Sequence, residues 1–374
     1  MPELAQVFRR YGGDYINAFG PALLPSHRRA MADIAACRTE VMGGHVFACD
    51  RCGHQQYAYH SCRNRHCPKC HRNDAEQWLA RRREELLPVP YFHIIFTLPE
   101  ALRGLARSRQ KTVYGGLMQT AAQALMRLAA DPRYVGGTIG VLAVLHTWGG
   151  ALQYHPHVHC LVPAGGAVNG QWRPARKNYF VPVKALSRIF RAKFRDWVRR
   201  ALPNVAAPKA AWRQPWVVYA KPAVQGTDNV LQYLGRYVHR VALTNHRILA
   251  VERGAVTFRY KDSRQACSKT MRLPAREFIR RFLQHVLPKG VHKVRYYGLW
   301  APANRKLLRQ IQTAFQEQPA SPGPGDAGDD PPPSVLSPQA LEPKHTASRV
   351  CPHCRRGVLR YLGPVQPNKR GPPA

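Results

Sequence analysis

Two Cys-x-x-Cys knuckles, Cys49-Asp-Arg-Cys52 and Cys67-Pro-Lys-Cys70, stand 14 residues apart near the start of this chain. Each knuckle is a tight turn that offers two thiolates, and four thiolates can converge tetrahedrally on one Zn²⁺ at ~2.3 Å. So short a segment cannot build an apolar core, and the metal takes the place of one. Cys49, Cys52, Cys67 and Cys70 are therefore expected to hold a structural Zn²⁺ with closed coordination. Cys37, His45, Cys62 and His66 fall in the same segment, enough soft groups for a second metal. Six cysteines crowd between Cys37 and Cys70, and the start MPELAQVFRRYGGDY lacks a secretory apolar region. Reduced thiols in a cytoplasmic protein are expected rather than a disulfide framework. Near the other end, Cys351-Pro-His-Cys354 is half a site without evident partners.

The knuckles belong to a strongly cationic chain. Lys and Arg number 57 against 21 Asp and Glu, a formal net charge of +36. Such an excess suits a polyanionic partner, the alternative being a solvated, self-repelling surface. Length (374 residues) and 45% hydrophobic composition allow two or three domains with real cores. The longest apolar stretch, around Val135 to Leu145, is broken by glycines and stopped by His146, so no membrane span is expected.

Composition separates four zones: residues 1 to about 36 read as helical, about 37–74 are rich in Cys and His, about 88–305 alternate strand-like runs with amphipathic helices, and 318–343 is low-complexity. The domains expected from this are 1–87, helical and zinc-binding, 88–250 and 251–317, the two parts of the core, and 318–374, a Pro-rich linker with a basic tail. Eight prolines between Pro319 and Pro343 leave that linker without a core, and the tail beyond it is expected to be tethered rather than packed. In the middle, residues 92–97, 139–145, 158–163, 216–220 and 255–260 read as strands. Ser187 to Leu202 and Arg276 to Leu287 read as amphipathic helices. The class is α+β. After the second knuckle, Asn73-Asp74 can cap a helix whose exposed side carries Arg81, Arg82 and Arg83, candidate phosphate contacts.

Chemistry is suggested by Gln153-Tyr-His-Pro-His-Val-His-Cys. On a strand, His157 and His159 project from one face, a pair able to grip one divalent cation. His155 shares the parity, but Pro156 is expected at the strand's beginning, which makes His155 the lesser ligand. His146 ends the preceding apolar strand and could face the pair across a hairpin. Histidines satisfied in a core remain the bland alternative. A cupin or a non-haem iron site would need a carboxylate, and none follows in CLVPAGGAVNGQW. Downstream, Asp228 to Arg240 is a helix whose apolar stripe carries Tyr233 and Tyr237 one turn apart. Tyrosines on such a stripe are ordinarily core. Facing a sheet that bears His157 and His159, however, they become nucleophiles opposite a Lewis acid, with Arg236 or Arg240 able to assist attack on a phosphodiester.

These segments together resemble the HUH single-strand endonucleases, specifically the rolling-circle transposases of the insertion sequence ninety-one family. The resemblance is carried by CDRCGHQQYAYHSCRNRHCPKC, VPYFHIIFTLP, LHTWGGALQYHPHVHCLVPAGG, YLGRYVHRVALTNHRI and VTFRYKDSR, with FIRRFLQHVLPKGVHKVRYYGLWAPANR. It implies a central antiparallel sheet with flanking helices, preceded by a small zinc-ribbon-like domain and followed by a disordered Pro-rich tail. It implies His157 and His159 as ligands of a catalytic Mg²⁺ or Mn²⁺, His146 as the third, and Tyr233 and Tyr237 as the nucleophiles. It further implies single-stranded DNA at element ends and target DNA as partners, and 5′-phosphotyrosine intermediates. A non-catalytic zinc-ribbon DNA-binding protein, and a plasmid relaxase or replication initiator using the same chemistry, are the rival functions.

Overall fold

The computed structural model describes residues 1–70, 72–175, 181–221, 226–238, 240–262, 265, 267–317 and 350–368, apart from the side chains of 72–75, 227–228, 233–234 and 236. In chain order the first elements are α1 (Leu4–Phe19), α2 (Pro25–Ala36), β1 (Gly44–Cys49), β2 (Gln55–Tyr59), α3 (Arg72–Arg83) and β3 (Tyr91–Thr97). Next come α4 (Arg103–Ser108), α5 (Gln110–Ala129), β4 (Gly140–Trp148), β5 (Tyr154–Pro163), β6 (Gly165–Val168), β7 (Gln171–Pro174) and α6 (Val183–Ala201). After these lie α7 (Ala210–Arg213), β8 (Val218–Lys221), α8 (Thr227–Val238), β9 (Ile248–Glu252), β10 (Ala255–Lys261) and β11 (Ser268–Pro274). The last are α9 (Ala275–Leu283), β12 (Val294–Gly298), α10 (Arg305–Glu317) and β13 (Leu359–Val365). Among the described residues no helix is long and apolar enough to cross a membrane.

The described residues divide into two compact units, one within residues 1–35 and 62–317, the other within 36–61 and 350–368. The larger unit is built on a five-stranded sheet in the order β12-β4-β5-β3-β8, every neighbouring pair antiparallel. Alternation along its strands assigns the faces. Val158, Cys160 and Val162 of β5 join Ala143 and Leu145 of β4 and Phe92, Ile94 and Phe96 of β3 in one core. That core is covered by α5 and α6, whose Leu117, Ala121, Phe190 and Phe194 are fully buried. The opposite parity, Leu142, Val144 and Leu161, packs under Val230 and Val238 of α8. His146, His157 and His159 belong to this second parity, so the strand period itself places them beneath α8.

Local chemistry sets where elements end. The expected helix from Arg276 closes at Leu283; residues 284 and 285 continue as a turn, and Pro288 disfavours helical geometry at the residue before it. Pro156 does not begin β5, which starts at Tyr154. Opposite it, the β4 register shifts between His146 and Trp148. A proline tolerated inside a sheet at such a bulge is the expected accommodation, because the missing N–H falls where pairing is already interrupted.

The smaller unit is a three-stranded antiparallel sheet in the order β13-β1-β2. The tail expected to hang tethered instead supplies β13, whose register runs from Gly44 opposite Val365 to Cys49 opposite Leu359. The Pro-rich stretch 318–349 lies outside the described residues.

Candidate active site and metal centres

His146 and His157 face each other directly across β4 and β5, and His159 lies two residues further along β5. One ring nitrogen from each lies within 4.8 Å of the other two, and among the described residues no carboxylate belongs to the group. Ring centroids are 4.5 Å apart for His146 and His159, 4.8 Å for His157 and His159, and 5.5 Å for His146 and His157. His155 turns aside and accepts from Arg103 Nη2 at Nδ1, 3.0 Å.

Tyr237 comes down on this group from α8. Its ring centroid is 4.4 Å from that of His159 and 6.0 Å from that of His146. The His146 Nε2–H donates to the Tyr237 carbonyl at 2.8 Å, leaving Nδ1 with the ring's lone pair. The His157 Nδ1–H donates to the His155 carbonyl at 2.7 Å, leaving Nε2 likewise.

Burial is the main force on the titration of these rings. It pulls His157 down to about 4 and His146 and His159 well below the usual histidine range, neighbouring imidazoles adding to the effect. Neutral imidazoles have the lone pair a metal needs, so three of them converging fit a divalent cation. The side chains of Tyr233 and Arg236 lie outside the described residues, as do those of Asn73 and Asp74. Arg240 is exposed, and its charge contributes to depressing both His157 and His159.

Two groups at the site escaped sequence reasoning. His93 of β3 shares a 2.8 Å hydrogen bond between its Nε2 and His159 Nδ1, and its ring lies 5.2 Å from Tyr237. Burial, with Lys221 and His157 nearby, takes it down to about 4. The available signal was its parity: in YFHIIFT it alternates with Phe92 and Ile94, which face the opposite core. Lys293, just before β12, donates from Nζ to the Arg240 carbonyl at 2.6 Å. It also lies 5.2 Å from the Trp148 ring, which stacks on His146 at 4.6 Å. Burial, with Arg65 and Arg240 nearby, brings Lys293 down to about 7.

Of the candidate phosphate contacts, Arg82 is engaged elsewhere. It pairs with Glu85 at 2.6 Å and lies over the rings of Trp78 and Tyr296. Arg81 and Arg83 are exposed.

The cysteines are not brought together as the knuckle spacing suggested. Cys49 and Cys52 meet Cys351 and Cys354, all four Sγ atoms lying within 4.8 Å of one another. The reason is the β13–β1 ladder, which runs the tail antiparallel to the strand ending in Cys49. Cys67 and Cys70 gather instead with Cys62, and Cys62 Sγ is 3.6 Å from Cys70 Sγ. His66 accepts from the Leu287 N–H at 3.1 Å, and His45 packs edge-on against His60 and Tyr361.

Comparison with known proteins places the chain among transposases. Residues 140–307 match a family model described as "Putative transposase", and residues 7–98 match one described as "Transposase zinc-binding domain". The chain is 42% identical over 380 residues to "Putative transposase y4qJ" of Sinorhizobium fredii, covering 96% of this chain and 94% of that one. It is 28% identical over 316 residues to the transposase for insertion sequence element IS801 of Pseudomonas savastanoi pv. phaseolicola, covering 77% and 73%. No solved structure matches the chain.

Proposed function

Because the chain belongs to the insertion sequence ninety-one family of transposases, we propose that it nicks and rejoins single-stranded DNA at the ends of its element through 5′-phosphotyrosine intermediates. The observation that carries this reading is the 4.4 Å approach of the Tyr237 ring to His159, within a cluster of three neutral imidazoles.

A phenol is a weak nucleophile, with a pKa of ~10, so the site must favour charge on the phosphate under attack. His146, His157 and His159 are the residues that would hold Mg²⁺ or Mn²⁺, which supplies Lewis-acid polarisation of the scissile phosphate when bound. Tyr237 Oη attacks phosphorus and loses its proton. The P–O bond to the 3′ oxygen breaks, that oxygen takes up a proton, and the 5′ phosphate stays on the tyrosine. Bond energy is conserved in the phosphotyrosine, so a 3′-hydroxyl can reverse the step and rejoin strands. The released 3′-hydroxyl can also prime replacement synthesis, as rolling-circle transposition requires. Arg240 brings positive charge to the exposed rim, where a phosphate backbone would lie.

Tyr233, one helical turn before Tyr237, is the proposed second nucleophile, so that donor and target strands can each hold a 5′ end. Arg81, Arg83 and Arg236 are proposed backbone contacts. Structural Zn²⁺ is assigned to the cysteine clusters rather than to the histidines, since thiolates favour it. Cys62, Cys67 and Cys70 would be completed by one of the soft groups that the sequence reserves for a second metal.

The test is a denaturation-resistant adduct between the purified protein and labelled single-stranded element ends in Mn²⁺. Wild type is expected to form it, and the Tyr233→Phe/Tyr237→Phe double variant is expected to bind DNA without forming it. An adduct that survives the double substitution, or none from folded, metal-loaded wild type, overturns the reading. Mobilisation of a marked element by the protein separates transposition from plasmid relaxase or replication-initiator activity.

A further inference from the structure

The tail knuckle Cys351-Pro-His-Cys354 has no place in the phosphotyrosine chemistry, and the zinc-binding family match ends at residue 98. We propose that Cys49, Cys52, Cys351 and Cys354 bind a single Zn²⁺, making one ribbon from two ends of the chain.

The thiol geometry fits. Cys49 Sγ lies 3.6 Å from Cys354 Sγ, and Cys52 Sγ lies 3.8 Å from Cys351 Sγ. A tetrahedron with Zn–S bonds of ~2.3 Å has edges of ~3.8 Å, whereas a disulfide would need ~2.05 Å.

The two knuckles are also built alike. In each, the residue after the second cysteine donates its N–H to the carbonyl of the first: Gly53 to Cys49 at 3.1 Å, Arg355 to Cys351 at 2.9 Å. Both of those residues adopt left-handed backbone, φ +70° at Gly53 and +55° at Arg355. For an arginine that conformation is unfavourable, and it is kept where a turn demands it. Backbone amides point at the sulfurs as they do around zinc thiolates, Arg51 N to Cys49 Sγ at 3.4 Å and Gly357 N to Cys354 Sγ at 3.3 Å.

Gly357 is required by the closeness of the two halves. A Cβ there would fall on Cys49 Sγ, far inside contact distance. Asp50 links the halves further, accepting from the Val358 N–H at 2.8 Å and approaching Arg360 Nε at 3.3 Å. His54 stacks on His353 with ring centroids 5.1 Å apart.

The β13–β1 ladder that brings the two halves together has little core beneath it. Around the thiols the described residues form a buried cluster of Cys49, Cys351 and Leu359, with Phe47 and Cys354 against it. A metal makes up for so small a core. The zinc would therefore close the chain between Cys52 and Cys351 into a loop. This claim does not depend on the tyrosine chemistry, and its test reads metal and chain association rather than cleavage.

Zinc content of the full chain by native mass spectrometry and metal analysis is the first measurement. Cys351→Ser/Cys354→Ser is expected to lose one zinc equivalent relative to wild type, and Cys351→His, which keeps a ligand, to retain it. An unchanged zinc content in the double serine variant overturns the proposal. Should that variant aggregate, a full chain with a protease site inserted after Asp330 decides instead. After cleavage verified on a denaturing gel, the C-terminal fragment is expected to stay with the rest until a zinc chelator is added. Release without chelator overturns the proposal.

Discussion

The Nε2–H of His146 donates to the carbonyl oxygen of Tyr237 at 2.8 Å, so the imidazole across the hairpin from His157 also fastens the last turn of the helix that carries the phenol. One residue thereby ties the position of the proposed nucleophile to the ligand cluster it must face.

His146→Ala should therefore damage two things at once. It removes a proposed ligand and frees the carbonyl of Tyr237. Adduct yield is expected to fall at every Mn²⁺ concentration, with saturation not restoring the wild-type rate. A variant whose rate recovers fully at high Mn²⁺ would show that His146 acts as a ligand alone.

His93→Gln should act through His159. For His159 to present Nε2 to a cation, its Nδ1–H must donate to His93 Nε2, and outer partners of this kind are worth about 10–100-fold in metal affinity or activity. The Mn²⁺ concentration for half-maximal adduct formation is expected to rise by about tenfold or more. A titration that superimposes on wild type would remove His93 from the site.

The choice of cation follows from the donors. Three imidazole nitrogens, with no carboxylate beside them among the described residues, suit Mn²⁺ better than Mg²⁺, which prefers oxygen. Adduct formation is expected to saturate at lower Mn²⁺ than Mg²⁺, and the reverse order would argue for undetected oxygen ligands.

Acid should destabilise the metal-free site. His93 and His157 titrate at about 4 in the fold against 6.5 for an unperturbed imidazole, because burial disfavours their charged forms. Between those values the unfolded chain binds more protons than the native one, so stability is full above about 6.5 and falls as pH drops toward about 4. Thermal unfolding without added Mg²⁺ or Mn²⁺ should show a Tm decline across this window that is smaller in His157→Asn. Equal declines in both proteins would contradict the assignment.

Gly116 of α5 lies under the indole of Trp197 of α6, and a Cβ at Gly116 would meet that ring at 2.5 Å. Gly116→Ala should cost about 1–3 kcal/mol by overpacking, despite alanine's better helix propensity. A denaturant midpoint equal to or above that of wild type would show that the two helices can part without penalty.

Much of the site could be read from spacing. Alternation in YHPHVHC puts His157 and His159 on one face of a strand, and the stripe of Val230, Leu234, Tyr237 and Val238 marks a helix with one apolar side. Both follow from periods of the backbone, which are local. His93 could not be found that way, because a lone histidine in an apolar strand gains meaning only from the strand placed beside it. The knuckles show the same limit: residue types and spacing identified thiolate turns, but which turns meet depended on β13 pairing with β1 across more than three hundred residues.

The sequence by itself determined the chemistry on offer: thiolate turns, paired imidazoles, a helical tyrosine and an excess of positive charge. Tertiary structure alone decided the partnerships, bringing His93 to His159, Lys293 to Arg240 and the tail knuckle to Cys49 and Cys52. The physical reason is that ligand type and periodicity are properties of short segments, whereas strand register and chain closure are settled by which distant segments satisfy each other's backbone and bury each other's side chains.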